Sequence, residues 1–246
     1  MSSFQVSIKE AAKYNSEGAS LANQQKYNKS ISLFEKALKL SPGFMVAKIN
    51  LGLTCILAGK QKKGTKILNE LAKEFPKNHA LLNQIGIFFM KANENKRAIT
   101  FFKRAIKNSD KVSEYYFNLA ESCFLLGQYE GFVNQAEINY KKAIKLNPNF
   151  TAAYLRLGNL FEEVGSYTDT IKQFEKVLKH DPKNHIIYGH IISCYNAVGR
   201  FGDAEKYSKR FDKINTLSEL PLDNVIRLAN PKKNLQIAKY WKIKHQ

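Results

Sequence analysis

Polar side chains recur at one interval along this chain: Asn50, Gln84 and Asn118 are spaced by 34 residues, and Arg156 and His190 by 34 again after a longer step. Amide groups donate and accept together, so a spaced line of them suits the main chain of an extended peptide or the polar groups of a helical partner. Three residues beyond each stand Leu53, Ile87, Glu121, Asn159 and Ser193, a second line that passes from apolar to polar. The chemistry on offer is recognition, because groups that would catalyse do not assemble. The sequence contains no Gly-rich phosphate loop, no His-Glu-x-x-His run and no nucleophile elbow, so neither an enzyme nor a cofactor is expected. His180, His185 and His190 follow one another at intervals of five, which does not place neighbours on one helical face, so no metal site is expected.

Cys55, Cys123 and Cys194 lie far apart with no Cys-x-x-Cys pair, which argues for small core residues in a reducing compartment rather than disulfides or zinc. The net charge of +18 and a pI near 9.7 raise a nucleic-acid reading. Only six of the 39 basic residues are arginine, the residue best suited to bidentate phosphate contact, and the Lys, Asn, Ile, Phe and Tyr richness is what AT-rich codons supply. The lysines cluster in runs such as Lys60, Lys62, Lys63 and Lys66, without aromatic residues interleaved for base stacking.

The elements that must position these residues follow from the same period. Pro42 and Pro76 are 34 apart, as are Pro148 and Pro182, and Asp110 takes the intermediate place. Units starting at 11, 45, 79, 113, 151 and 185 put Gly18, Gly52, Gly86, Ala120, Gly158 and Ile192 at their eighth place. Each unit holds two apolar stripes at helical spacing, for example Leu157, Leu160, Phe161 and Val164, then Ile171, Phe174, Val177 and Leu178, which predicts two amphipathic helices. Gly59, Asn93, Gly127, Gly165 and Gly199 between the stripes are the types that accept a left-handed conformation at a helix end. One such hairpin cannot bury its apolar faces alone, so stacking must supply the core.

Leu51-Gly52, Ile85-Gly86, Tyr116 with Leu119-Ala120, and Tyr154 with Leu157-Gly158 repeat one pattern. Phe34, Phe102, Tyr140 and Phe174 follow, each with Ala37, Ala105, Ala143 or Val177 three residues on. This pattern resembles the tetratricopeptide repeat family over residues 7 to 216. The resemblance implies an all-α, right-handed superhelical solenoid of six hairpins whose first helices line a concave groove. It places Asn50, Leu53, Gln84, Ile87, Asn118, Glu121, Arg156, Asn159 and His190 in that groove as candidate partner-binding residues. The expected function is that of a non-enzymatic scaffold or adaptor holding a protein partner for assembly of a larger complex. Binding of RNA or an anionic membrane through convex lysines and the C-terminal helix is the alternative. Family members that clamp chaperone C-terminal tails use Lys and Asn, then Asn, then Lys and Arg in three successive repeats. Here Asn118 and Arg156 fit, while Asn83, Ile87 and Ala152 stand where the others would be, so heat-shock chaperone tails are disfavoured.

Two departures from the period carry expectations. The fourth unit holds four extra residues; four is about one helical turn, and Phe132, Ala136, Tyr140, Ala143 and Ile144 keep one face, so a longer second helix is expected. Residues 1–10 read as a lead-in to the six units at 11–216, and 217–246 as a capping segment with Leu235, Ala238 and Trp241 at helical spacing. No signal-peptide pattern or membrane-spanning run is evident, which makes the cytoplasm the expected compartment.

Overall fold

The computed structural model describes residues 3–127 and 131–214. The described residues form twelve α-helices and no strand. Helices α1 (Ser3–Asn23), α2 (Tyr27–Leu40), α3 (Met45–Leu57), α4 (Gln61–Glu74), α5 (His79–Lys91), α6 (Asn95–Asn108) and α7 (Ser113–Phe124) come first. They are followed by α8 (Phe132–Leu146), α9 (Thr151–Glu163), α10 (Tyr167–His180), α11 (His185–Ala197) and α12 (Phe201–Ile214). The chain divides into two compact units, Met1–Ser122 and Cys123–Gln246.

In five hairpins the turn is made the same way. A residue in the left-handed region, Gln25, Gly59, Asn93, Gly165 or Gly199, ends the first helix. The next amide then reaches back five residues: Lys26 to Leu21, Lys60 to Cys55, Glu94 to Phe89, Ser166 to Phe161 and Arg200 to Tyr195, at 2.8–2.9 Å. This is the six-to-one closure of a Schellman motif, which satisfies a carbonyl the helix leaves open and turns the chain within three residues. A turn that short returns the second helix alongside the first.

The fourth hairpin departs from this scheme and corrects two expectations. Its second helix, α8, has 15 residues against 14 in each of the other second helices, so the four extra residues do not extend it by a turn. They lie between Phe124 and Phe132 instead. Gly131 rather than Gly127 holds the left-handed backbone there, at φ 84°, and it stands immediately before α8. A helix cannot continue through that conformation, so the insertion had to lengthen the turn. The start of the chain also differs from the lead-in expected: α1 begins at Ser3, and Ser7 Oγ donates to the Leu40 carbonyl at 3.0 Å. The 217–246 capping segment, with Trp241, lies outside the described residues.

Within each unit the core repeats. In Met1–Ser122, Phe34, Leu68, Leu82, Ile85, Phe89 and Phe102 are fully buried, and in Cys123–Gln246 so are Tyr140, Leu157, Leu160, Phe174 and Phe211. The glycines at the eighth place permit the approach of paired helices. A Cβ on Gly86 would lie 2.5 Å from Cε1 of Phe102, and one on Gly158 would lie 2.4 Å from Cε1 of Phe174. The last hairpin exchanges these volumes: Ile192 fills the glycine place, and buried Ser208 stands where Phe34, Leu68, Phe102 and Phe174 stand elsewhere. Large and small have traded sides, which conserves the volume between the helices.

Candidate functional site

In the Met1–Ser122 unit the candidate residues sit on the odd-numbered helices. Asn50 and Leu53 are on α3, Gln84 and Ile87 on α5, Asn118 and Glu121 on α7. All six are accessible to some degree, Gln84 most of all, and the other five are half-buried. Two of the amides are tied down by asparagines on the preceding odd helix. Asn50 Nδ2 donates to Asn15 Oδ1 of α1, and Asn118 Nδ2 donates to Asn83 Oδ1 of α5, each at 3.0 Å. Both pairs span 35 residues, one repeat plus one, so a residue at the fifth place of one unit meets the sixth place of the next. Between them the pattern breaks, because the fifth place before Gln84 is buried Ile49. Among the described residues Gln84 is therefore left without a partner, with half-buried Ile87 about one turn on along α5.

A further tie joins α5 to α7, His79 Nδ1 lying 2.7 Å from the Tyr115 hydroxyl. Burial, and then the charge of Glu114, pushes the Tyr115 phenol up from its ordinary value, so it stays protonated as a hydrogen-bonding group. These contacts fix the helices that carry the candidate face.

In the Cys123–Gln246 unit, Arg156 on α9 is exposed, Asn159 is half-buried, and His190 on α11 is turned inward. The His190 ring rests 5.2 Å from that of Phe174, with Nδ1 2.8 Å from Oε2 of Glu162. That is ion-pair distance, but the ring is not aligned to complete a hydrogen bond. Glu162 also lies 3.9 Å from the Cys194 sulfur. With side chains 16% and 13% exposed, His190 and Glu162 are packed against one another, and His190 offers a partner less than its place in the repeat suggested. Beside Glu162, burial and that neighbouring carboxylate raise the pKa of Glu163.

Sequence reasoning missed a small recess in this unit. Phe124, Leu125, Gly127, Val133, Leu160 and Val164 line it, with the Glu163 carboxylate beside them. Two glycines four apart, Gly127 and Gly131, were the available signal that the extra residues fall before α8 and do not lengthen it. All three cysteines are buried free thiols, and burial raises the Cys55 pKa. No group of three metal-ligating side chains occurs among the described residues, and no helix there is long and apolar enough to cross a membrane.

Charge is divided between the two kinds of helix. The even-numbered helices carry 22 lysines and arginines against nine acidic residues, and the odd-numbered ones five against six. The candidate face is thus nearly neutral, and the basic excess lies on the opposite helices of each hairpin.

The family model for the N-terminal TPR repeats region of Psidin matches residues 20–153, more than half of the chain. Among curated relatives, anaphase-promoting complex subunit 3 of Schizosaccharomyces pombe is 26% identical over 175 residues, 71% of this chain and 26% of that protein. The Hsp70-Hsp90 organizing protein 3 of Arabidopsis thaliana is 28% identical over 115 residues, 47% of this chain and 20% of that protein. The chain spans less than a third of the length of these relatives. The solved structure of Pseudomonas aeruginosa pilF superposes with a TM-score of 0.61 at 15% identity, covering 92% of this chain and 99% of that one, a likeness of fold alone. Repeated hairpins, six-to-one closures, glycine-to-phenylalanine packing and the matching family model together make this chain a member of the tetratricopeptide repeat family.

Proposed function

We propose that this chain is a non-enzymatic scaffold whose odd-helix face in the Met1–Ser122 unit binds a protein partner, in support of assembling a larger complex. Proteins of this family mediate protein–protein interaction and complex assembly. The observation that carries the reading is Gln84, exposed and without a partner among the described residues, while Asn50 and Asn118 at the equivalent places are paired and half-buried Ile87 lies about one turn on. An exposed amide with an apolar side chain one turn on offers a directional contact and some apolar surface, a combination that recognises an amphipathic helix or an extended segment. Near neutrality of the face favours a partner held by shape and hydrogen bonds.

Chaperone C-terminal tails fit this face poorly. Asn83 is engaged with Asn118, and Ile87 is apolar where a tail carboxylate would need a polar group. The similarity to an organizing protein is thus a likeness of repeats, and tail binding does not come with it. The test is binding of the native partner to full-length chain carrying Gln84→Ala with Asn118→Ala. Weakened binding at unchanged helicity is expected, and unchanged affinity with an intact fold would refute the reading.

A further inference from the structure

On α4, Lys62, Lys66 and Lys73 fall within a stripe about 40° wide at 100° per residue, and the stripe points away from buried Gly64, Leu68, Leu71 and Ala72. On neighbouring α6, Lys96, Lys103 and Lys107 form a second such stripe, and that helix has no acidic residue. A shallow depression runs beside the α4 lysines, with Arg97 of α6 at its edge.

Nearby acids neutralise this surface only in part. Glu35 is taken by Lys63 at 2.6 Å and Glu74 by Lys48 at 3.1 Å. Glu94 is held by Arg97 and Gln61. Glu70 stands 3.9 Å from Lys66. Among the described residues, Lys62 and Lys73, and on α6 Lys103 and Lys107, have no partner. Positive charge is therefore concentrated, and only partly compensated, on one side of one unit.

We propose that the α4 lysine stripe, with the depression beside it, is a second docking surface that takes an acidic segment of a partner protein in extended conformation. Lys62, Lys66 and Lys73 are separated along the axis by about 6 Å and about 10 Å at 1.5 Å per residue. An extended chain advances about 3.3 Å per residue. Carboxylates at positions i, i+2 and i+4 of the segment share one face of an extended chain and span about 13 Å, within reach of the three ammonium groups on their flexible stems. Thr65 and Asn69, which lie between the lysines, supply hydrogen bonds to the segment's main chain.

The same residues speak against phosphate-bearing partners. The one guanidinium is already bound to Glu94 and to Thr65 Oγ1, so bidentate phosphate contact is taken up. The depression has no aromatic lining for stacking bases and no apolar side chain to enter a bilayer. Glu70 at its edge repels a continuous run of phosphates, whereas spaced carboxylates can avoid it.

The experiment uses the full chain and a fluorescein-labelled decapeptide of alternating Glu and Ser, followed by fluorescence anisotropy. Lys62→Gln with Lys66→Gln and Lys73→Gln should weaken binding about tenfold, the product of three modest ion pairs. Lys172→Gln with Lys176→Gln and Lys179→Gln removes equal charge from α10 and should change it less than about twofold. Circular dichroism confirms that both variants keep their helices. Equal loss in the two variants, or no binding by the unaltered chain, overturns the proposal. So does preferential binding to oligouridylate or to phosphatidylserine vesicles that the α4 variant abolishes, which would reassign the surface to phosphate.

Discussion

Replacing Gly86 by alanine adds one methyl group to α5 at the point where it meets α6. The added carbon would stand 2.5 Å from Cε1 and 2.7 Å from Cδ1 of Phe102, whose ring is fully buried. Ordinary contact needs about 3.5 Å or more, so the helices must part or the ring must leave its rotamer. Overpacking of this kind costs about 1–3 kcal/mol. Alanine also stabilises a helix interior by about 1 kcal/mol relative to glycine. The net expectation is a loss of about 1 kcal/mol. Gly202 on α12 provides the control, because a Cβ there meets nothing within 4 Å. Gly202→Ala should therefore stabilise by about 0.5–1 kcal/mol, leaving the two variants on opposite sides of the parent chain. Urea denaturation followed by circular dichroism reads both. If Gly86→Ala stabilised the chain as much as Gly202→Ala, close helix approach would not be what the eighth-place glycine provides.

Other consequences follow from the same structure. Because the Glu163 pKa is raised by burial and by Glu162, its contribution to stability is present below the ordinary carboxylate value and is lost as pH rises through its folded value. Glu163→Gln should accordingly raise the melting temperature at pH 7, with the difference disappearing in acid; a difference that grew on acidification would refute the assignment. The buried thiols of Cys55, Cys123 and Cys194 should resist a thiol reagent such as DTNB in the native chain and react in urea, and rapid native labelling would contradict their packing. Tyr207 donates its hydroxyl hydrogen to Glu175 Oε1 at 2.6 Å. Tyr207→Phe should cost about 1–2 kcal/mol in denaturant unfolding, and a neutral result would show that the bond contributes little.

Helix starts at 45, 79, 113, 151 and 185 coincide with those read from the period, because apolar stripes at helical spacing report the packed face directly. The early start of α1 was hidden for the complementary reason. Val6 and Ile8 are 50% and 46% exposed, so the first turns lack a buried stripe. Placement of the four extra residues was also not legible. Preserving the helical face and lengthening the turn satisfy the same apolar pattern, and the backbone conformation of Gly131 decided between them. The recurrence of polar side chains identified the candidate face, but not which amides would pair. That depends on the 35-residue offset between α1 and α3 and between α5 and α7, which Ile49 interrupts at Gln84. His190 shows the limit of equivalence between repeats, since Glu162 and Phe174 occupy its available contacts.

The central claim is that a protein partner binds on the odd-helix face beside Gln84. Site-specific photo-crosslinking in the native cell tests it most directly, with Gln84→p-benzoylphenylalanine as the probe and Ile138→p-benzoylphenylalanine on α8 as the control. Ile138 is 65% exposed, so accessibility alone cannot separate the two positions. The account predicts a discrete crosslinked protein at Gln84, absent at Ile138 and lost when unlabelled partner competes. A product at Ile138 with none at Gln84 would contradict it.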